Sequence, residues 1–213
     1  MPAVFSIRKS IKWEDEAEPS EPTSTWVLTA GNDDFVDTRI LKATGEPDWL
    51  INGKEKTIAT EPGFEVSIEF VHQLDSLGDD SGSDVGHFKG LPSGERLECG
   101  RMQQPDSGVE KGYEEVWSTL DAISSTPTDL KPTVGEDPSF SSTVWELPNG
   151  KGRFITIGKF SQGVATYNDV FQCVRLYEKS VVYKYGAEAM ELFGEFIDGN
   201  IREGFDWKRT FSD

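Results

Sequence analysis

The chain has 213 residues, of which 36% are hydrophobic and 11% aromatic, so it can form one large domain or two small ones with packed cores. Its 38 acidic and 21 basic side chains give a formal net charge of -17. This charge repels phosphate backbones and anionic lipid surfaces, which argues against nucleic-acid and membrane partners. Residues 1–13 carry Arg8, Lys9 and Lys12 and no apolar stretch, so we expect no secretory signal, no membrane insertion and a cytoplasmic location.

Apolar and polar residues alternate along the first half of the chain, which is the pattern typical of β-strands. The alternation predicts strands at 26–29, 35–40, 65–74, 96–102 and 113–120. The last of these has a sequence compatible with a helical start. The segment 78–86 is rich in Asp, Ser and Gly and is predicted to be a mobile loop.

The second half begins after a change in composition. Residues 124–142 are rich in Ser, Thr, Pro and Asp and indicate a linker or a long crossover. Beyond it, strands are predicted at 144–147, 153–160, 170–178, 181–185 and 205–211, with one short helix at 188–197. The chain is therefore predicted to be mainly β, with two consecutive antiparallel β-barrel halves and one short helix near the C-terminus. The predicted division is 1–122, a linker at 123–142, and 143–213.

The sequence lacks the glycine-rich nucleotide-binding motifs and the nucleophile elbow of α/β-hydrolases. Two histidines and two distant cysteines, Cys99 and Cys173, are too few for a zinc cluster or a disulfide framework. The carboxylates of 75–84 are compatible with calcium, but their spacing lacks the central Gly and final Glu of a calcium loop, so a solvated acidic loop is favoured. We therefore expect neither a metal nor an organic cofactor.

Eight short segments, taken in their order along the chain, can be compared with known families. They are 25–29 (TWVLT), 35–40 (FVDTRI), 71–76 (VHQLDS), 97–102 (LECGRM), 113–117 (YEEVW), 155–163 (ITIGKFSQG), 174–179 (VRLYEK) and 185–188 (YGAE). In this order they resemble the fungal Hri1-like proteins over most of the chain. The sequence departs from the family at Gln73 and Leu74, where Trp-Val is usual.

The resemblance implies lipocalin-like β-barrel halves in a cytosolic protein, and it leaves two functions open. A related group resembles the hetero-Diels–Alderases of fungal tropolone sesquiterpenoid biosynthesis. The first hypothesis is accordingly a cofactor-free pericyclase of secondary metabolism, which dehydrates a hydroxymethyl tropolone to a quinone methide and joins it to a humulene-type alkene. The alternative is a non-catalytic protein that binds protein partners or small ligands.

Polar residues on the predicted strands are the candidates for catalysis. His72 shares a face with Val66, Ile68 and Phe70, so it is either a proton-transfer group in the interior or a structural core histidine. Asp37 and Arg39 share a face with Phe35, where they either polarise a ligand or form a structural ion pair. Glu98 and Glu115 lie beside apolar residues, and each is either a general acid with a raised pKa or part of a solvated strand face.

The candidates for binding hydrophobic polycyclic substrates are mostly aromatic, and each is also ordinary core or sheet material. They are Phe35, Trp49, Phe70, Met102, Glu115, Trp117, Tyr183 and Tyr185. The apolar segment 181–183 also predicts a homodimer that buries a sheet edge across a twofold axis.

Overall fold

Eight antiparallel strands close into a barrel in the computed structural model, which describes residues 2–78, 82–133, 140–199 and 205–213. The strands follow one another in sequence order around the barrel, and β1 pairs with β8 to close it. They are β1 (Val4–Trp13), β2 (Thr23–Thr29), β3 (Asp34–Leu41), β4 (Pro47–Ile58), β5 (Val66–Asp75), β6 (Ser83–Gly90), β7 (Arg96–Gln103) and β8 (Glu110–Thr119). Closure leaves the barrel without an unpaired edge.

The remaining strands form a six-stranded antiparallel sheet in the order β13-β12-β11-β10-β9-β14. They are β9 (Ser142–Glu146), β10 (Gly152–Ile157), β11 (Phe160–Tyr167), β12 (Val170–Tyr177), β13 (Ser180–Tyr185) and β14 (Lys208–Ser212). A 3-10 helix (Pro148–Gly150) lies between β9 and β10, and two short helices, α1 (Ala189–Leu192) and α2 (Gly194–Asp198), follow β13. No helix in the described ranges is long and apolar enough to span a membrane.

The side-chain alternation of β3 explains how the two sheets meet. Val36 and Ile40 are buried in a cluster that also contains Ile155, Phe160 and Val164 of the six-stranded sheet. Because successive side chains of a strand point to opposite faces, Asp37 and Arg39 point into the barrel. The outer face of β3 thus contributes to the apolar core between the two sheets, and its inner face carries Asp37 and Arg39.

Two buried side chains of the six-stranded sheet hold the outer wall in place. Gln162 Nε2 donates hydrogen bonds to the carbonyl oxygens of Trp26 and Val36 (3.0 and 2.5 Å). Arg175 donates to the carbonyl oxygen of Thr38 (2.6 Å) and to that of Ser24 (2.7 Å). These bonds satisfy backbone groups of β2 and β3. They therefore fix the strands that present Asp37 and Arg39 to the interior.

The prediction of mainly antiparallel β-structure is confirmed, but the second half is an open sheet and not a second barrel. One face of this sheet packs against the barrel wall. The other face is covered by a cluster that includes Leu192, Phe193 and Trp207. Because each face is buried against another part of the protein, the sheet does not need to close into a barrel to bury its apolar side chains. The predicted pairing of two copies through the edge strand β13 stays a prediction.

Several predicted elements differ from the structure. β1, β4 and all of β11 after Phe160 were not predicted, and β8 has no helical start. The predicted loop 78–86 is wrong at 83–86, which belongs to β6, because pairing with β5 and β7 outweighs the local composition. The predicted strand 153–160 is divided by a turn at Gly158, where φ is 56°. The single predicted helix is two helices, α1 and α2.

Candidate functional site

The barrel encloses a cavity of about 220 Å³, which we call the barrel cavity. Its upper end is the end at which β1, β3, β5 and β7 begin. Lining residues near this end, such as Val4, Val27 and Val66, are half-buried. The lower end is closed by a buried cluster that contains Trp13, Trp49, Ile51, Met102 and Tyr113. The cavity is therefore a pocket that opens upward.

Much of the cavity wall is apolar. Phe35 and Phe70 meet edge to face with ring centroids 5.8 Å apart, and Phe70 meets Phe88 in the same way at 6.3 Å. Ile51, Ile68 and Met102 complete this surface. Such a wall binds the apolar part of a ligand and leaves orientation to a few polar groups.

A buried network of ion pairs lies in the lower half of the barrel. Arg39 Nε and Nη2 both lie 2.9 Å from Asp37 Oδ2, and Arg39 Nη1 lies 3.8 Å from Glu115 Oε1. Glu115 Oε1 also accepts a hydrogen bond from Arg8, whose Nε donates to Glu21 Oε2 (2.9 Å). The guanidinium of Arg39 stacks on Trp49, 4.6 Å from the ring centroid. The network pairs each of these buried charges, as burial requires.

Glu98 is a buried carboxyl group whose surroundings favour its protonated form. Burial, together with the neighbouring charge of Glu115, raises the pKa of Glu98 to about 8, although a hydrogen bond from Tyr113 opposes the shift. Tyr113 Oη donates to Glu98 Oε1 at 2.7 Å. Gly86 and Gly100 face each other on β6 and β7 beside this pair. A Cβ atom at Gly86 would overlap the Glu98 carboxyl group, and one at Gly100 would overlap the Tyr113 hydroxyl group.

His72 is held by two carboxylates. Its Nδ1 lies 2.7 Å from Asp75 Oδ2 and its Nε2 lies 3.2 Å from Asp84 Oδ1. Burial opposes protonation, but the hydrogen bonds to Asp75 and Asp84 outweigh it and raise the pKa of His72 to about 9. With both ring nitrogens engaged, His72 serves the barrel as a fixed cation. The ends of the predicted acidic loop thus bind a histidine, while Asp79 and Asp80 lie outside the described residues.

Three polar atoms of the cavity lining have no hydrogen-bond partner within the described part of the chain. They are Asp37 Oδ1, Arg96 Nε and Trp117 Nε1. Buried polar atoms are nearly always hydrogen-bonded, to protein or to water. These three atoms therefore mark positions where a ligand can supply a hydrogen bond, an acceptor facing Arg96 and Trp117 and a donor facing Asp37.

Most of the predicted site residues meet in the barrel cavity. Those that line it are Phe35, Asp37, Arg39, Phe70, His72, Glu98, Met102, Glu115 and Trp117. Trp49 lies in the cluster that closes the lower end. Tyr183 and Tyr185 lie on β13 of the other sheet, away from the cavity, and the Tyr183 hydroxyl group donates to the carbonyl oxygen of Gly45 (2.9 Å).

Sequence reasoning missed Arg8, Asp84, Arg96 and Tyr113 as parts of the site. Arg8 lies on the unpredicted strand β1 and Asp84 in the supposed loop. Arg96 and Tyr113 lie on predicted strands, where alternation with Glu98 and with Glu115 places them on the inner face. That alternation was the available signal. Among the described residues, no group of three or more His, Cys, Asp or Glu side chains is arranged to hold a metal ion.

Comparison with known proteins gives one family and one fold. The family model described as Protein HRI1 matches residues 4–211. The crystal structure of YLR301w, an uncharacterized protein from Saccharomyces cerevisiae, is similar with a TM-score of 0.78 and 18% sequence identity, covering 100% of both chains. At this identity the likeness establishes the shared fold. No curated protein matches the sequence.

Proposed function

The chain belongs to the HRI1 protein family, and we propose that its barrel binds one small, mainly apolar molecule that carries polar groups. The observation that carries this proposal is the enclosed cavity, where an apolar wall surrounds polar atoms that lack protein partners. Ligand pockets commonly combine these two features. The volume of about 220 Å³ lies below the usual range of about 300–1,000 Å³ for drug-sized ligands, so the ligand is small.

A cavity-filling substitution tests binding. Val27 is half-buried and lines the upper part of the cavity, so Val27→Trp is expected to fill the entrance and abolish retention of a ligand. The protein would be purified from its native cells and denatured, and its organic extract analysed by mass spectrometry. We expect a compound in stoichiometric amount from the wild type and its loss from Val27→Trp.

The matched control is Val116→Phe, which enlarges a half-buried valine on the outer face of β8. This variant is expected to retain the compound. Equal extracts from the wild type and from Val27→Trp, with both proteins folded by circular dichroism, would reject the barrel cavity as the binding site.

A second candidate function is catalysis in the same cavity, and the raised pKa of the buried Glu98 carboxyl group favours it. In this proposal a hydroxymethyl tropolone loses water to give a quinone methide. Glu98 gives its proton to the leaving hydroxyl group as the C–O bond breaks. Asp37 accepts the proton of the tropolone hydroxyl group, and Arg39 stabilises the oxygen as it gains negative charge. Return of the proton from Asp37 to Glu98 restores the enzyme.

The quinone methide then joins a humulene-type alkene in a hetero-Diels–Alder step, which needs no further proton transfer. The protein contributes by holding the two reactants in contact and by excluding water, which would otherwise add back to the quinone methide. Holding both molecules needs more room than the cavity of about 220 Å³ offers in this conformation. For this reason simple binding is the better supported function.

Glu98→Gln separates the two functions. Since Gln keeps the shape of Glu but donates no acidic proton, turnover should fall about 100-fold or more if proton transfer makes its usual contribution. The assay incubates the purified protein with a hydroxymethyl tropolone and humulenol and follows product handedness by chiral chromatography. Glu114→Gln, an exposed neighbour on β8, is the control. Racemic product formed at the rate in buffer alone would reject catalysis and leave ligand binding.

A further inference from the structure

Two residues whose side chains carry hydrogen-bond donors line the upper end of the barrel cavity. Arg96 and Trp117 are cross-strand partners on β7 and β8, and both side chains line the cavity. Trp117 is 5% exposed, and its indole Nε1 has no hydrogen-bond partner within the described residues. The same holds for Arg96 Nε. Two adjacent donors without acceptors favour a ligand that brings an oxygen atom to them.

The charge of Arg96 distinguishes it from the other cations that line the cavity. Arg39 is paired with Asp37, and His72 lies between Asp75 and Asp84. Arg96 has no ion-pair partner within 4 Å in the described ranges. Its Nη2 donates to Ser6 Oγ (3.2 Å), and its guanidinium lies 5.5 Å from the ring centroid of Phe88. A guanidinium without an ion pair in the described ranges, beside an indole N–H that lacks an acceptor, favours an anionic oxygen over a neutral one.

Glu55 is the carboxyl group on this side of the cavity, and it does not prevent anion binding. Burial raises the pKa of Glu55 to about 7, although Thr29 Oγ1 donates a hydrogen bond to its Oε1 (2.7 Å). Below that pH the group is largely neutral. In the lower half of the cavity, by contrast, the cations already have partners, Arg39 with Asp37 and His72 with Asp75 and Asp84, so an anion gains less there.

Building on the proposed binding function, we propose that the ligand is a small monocarboxylate, with its carboxylate at Arg96 and Trp117 and its apolar part against the aromatic wall below. The planar guanidinium offers its Nε–H to one carboxylate oxygen, and the indole N–H reaches the same group. The apolar part then lies along Phe70, Phe88 and Ile68, which line the same cavity.

Two matched pairs of probes test the carboxylate. Octanoate is compared with octan-1-ol, and 3-phenylpropanoate with 3-phenylpropan-1-ol, by titration calorimetry with the full chain at mildly acidic pH. In each pair the apolar part is the same, so the difference in affinity reports the charged group. We expect each carboxylate to bind about 10- to 100-fold more tightly than its alcohol, as for hydrogen bonds to charged groups.

Arg96→Gln and Trp117→Phe should each reduce this preference, since the first removes the cation and the second removes the indole N–H but keeps an aromatic ring. The controls are Arg101→Gln, an exposed arginine on the same strand, and Trp145→Phe in the other sheet; both should keep the preference. Circular dichroism and thermal melting establish that each variant is folded.

The two proposals fail in different ways. Alcohols that bind as tightly as carboxylates, or a preference that survives both Arg96→Gln and Trp117→Phe, would overturn the carboxylate and leave binding in the cavity intact. If none of the four probes binds the folded wild type, the carboxylate inference is rejected, and the extract comparison with Val27→Trp then decides on binding itself.

Discussion

Replacing Arg39 with Met is expected to lower the free energy of unfolding by about 3–5 kcal/mol, the range seen when one partner of a buried ion pair is removed. Asp37 would keep its buried carboxylate but lose both contacts at 2.9 Å from Arg39. Glu115 would retain Arg8 as its cation. The stacking of Arg39 on Trp49 would also be lost. Urea denaturation followed by circular dichroism measures the change.

The control for this prediction is a solvent-exposed arginine that also has two carboxylate partners. Arg101 lies 3.2 Å from Glu14 and 3.1 Å from Glu110, with 56% of its side chain exposed. Arg101→Met should therefore change stability far less than Arg39→Met does. In the double variant Asp37→Asn with Arg39→Met, part of the lost stability should return, because the unpaired carboxylate is removed. A loss below about 1 kcal/mol for Arg39→Met would show that the network contributes little to the fold.

The strands that sequence reasoning found are those whose alternation is not interrupted. β12 and β13 have regular apolar patterns and a short connection, so their hairpin was predictable from local residues. β4 was not predicted because it begins at Pro47 and carries three consecutive charged residues, 54–56, near its end. β6 was not predicted because it begins with Ser83 and Asp84, which are residue types more common in loops than in strands. Both strands are stabilised by neighbours distant in sequence, which local patterns do not reveal.

The sequence pattern also could not show whether the strands close into a barrel or form an open sheet. Alternation with a period of two reports which face of a strand is buried, and it is the same in both architectures. Closure depends on strand number and on the stagger between strands. Eight strands close around the cavity, whereas the six strands of the second sheet bury their faces against the barrel wall and against the α1–α2 region.

The candidate site was predictable on β3, where the residues of one face could be compared with those of the opposite face. Phe35, Asp37 and Arg39 alternate with Val36 and Ile40, so one face had to be core and the other had to be a cavity or solvent. The structure places the cavity there. Arg8 looks like an ordinary surface arginine in the sequence. Its burial follows from the closure of the barrel by β1 and β8, which no local pattern records.

Stability is expected to fall as pH rises from about 5 to about 9, and Glu98→Gln should remove part of this fall. The pKa of Glu98 is raised from 4.5 to about 8 by burial and by the charge of Glu115. Between these two values the unfolded chain releases a proton that the native protein keeps. The native state then binds more protons than the unfolded state, so its stability decreases with rising pH across this window.

His72 and Glu55 also lower the stability as pH rises, each over a different pH range. The pKa of His72 is raised from 6.5 to about 9, so its contribution is complete below 6.5 and is lost as pH rises through 9. The pKa of Glu55 is raised from 4.5 to about 7 by burial. Both groups remain in Glu98→Gln. The difference in unfolding free energy between this variant and the wild type therefore isolates Glu98.

We expect that difference to increase in favour of Glu98→Gln from about pH 5 to about pH 8 and to change little above it. Urea denaturation at a series of pH values measures it. A flat difference for Glu98→Gln would mean that Glu98 releases its proton equally readily in both states. The catalytic proposal would then lose its acid, because the proton whose retention costs stability is the one that Glu98 must donate to the leaving hydroxyl group.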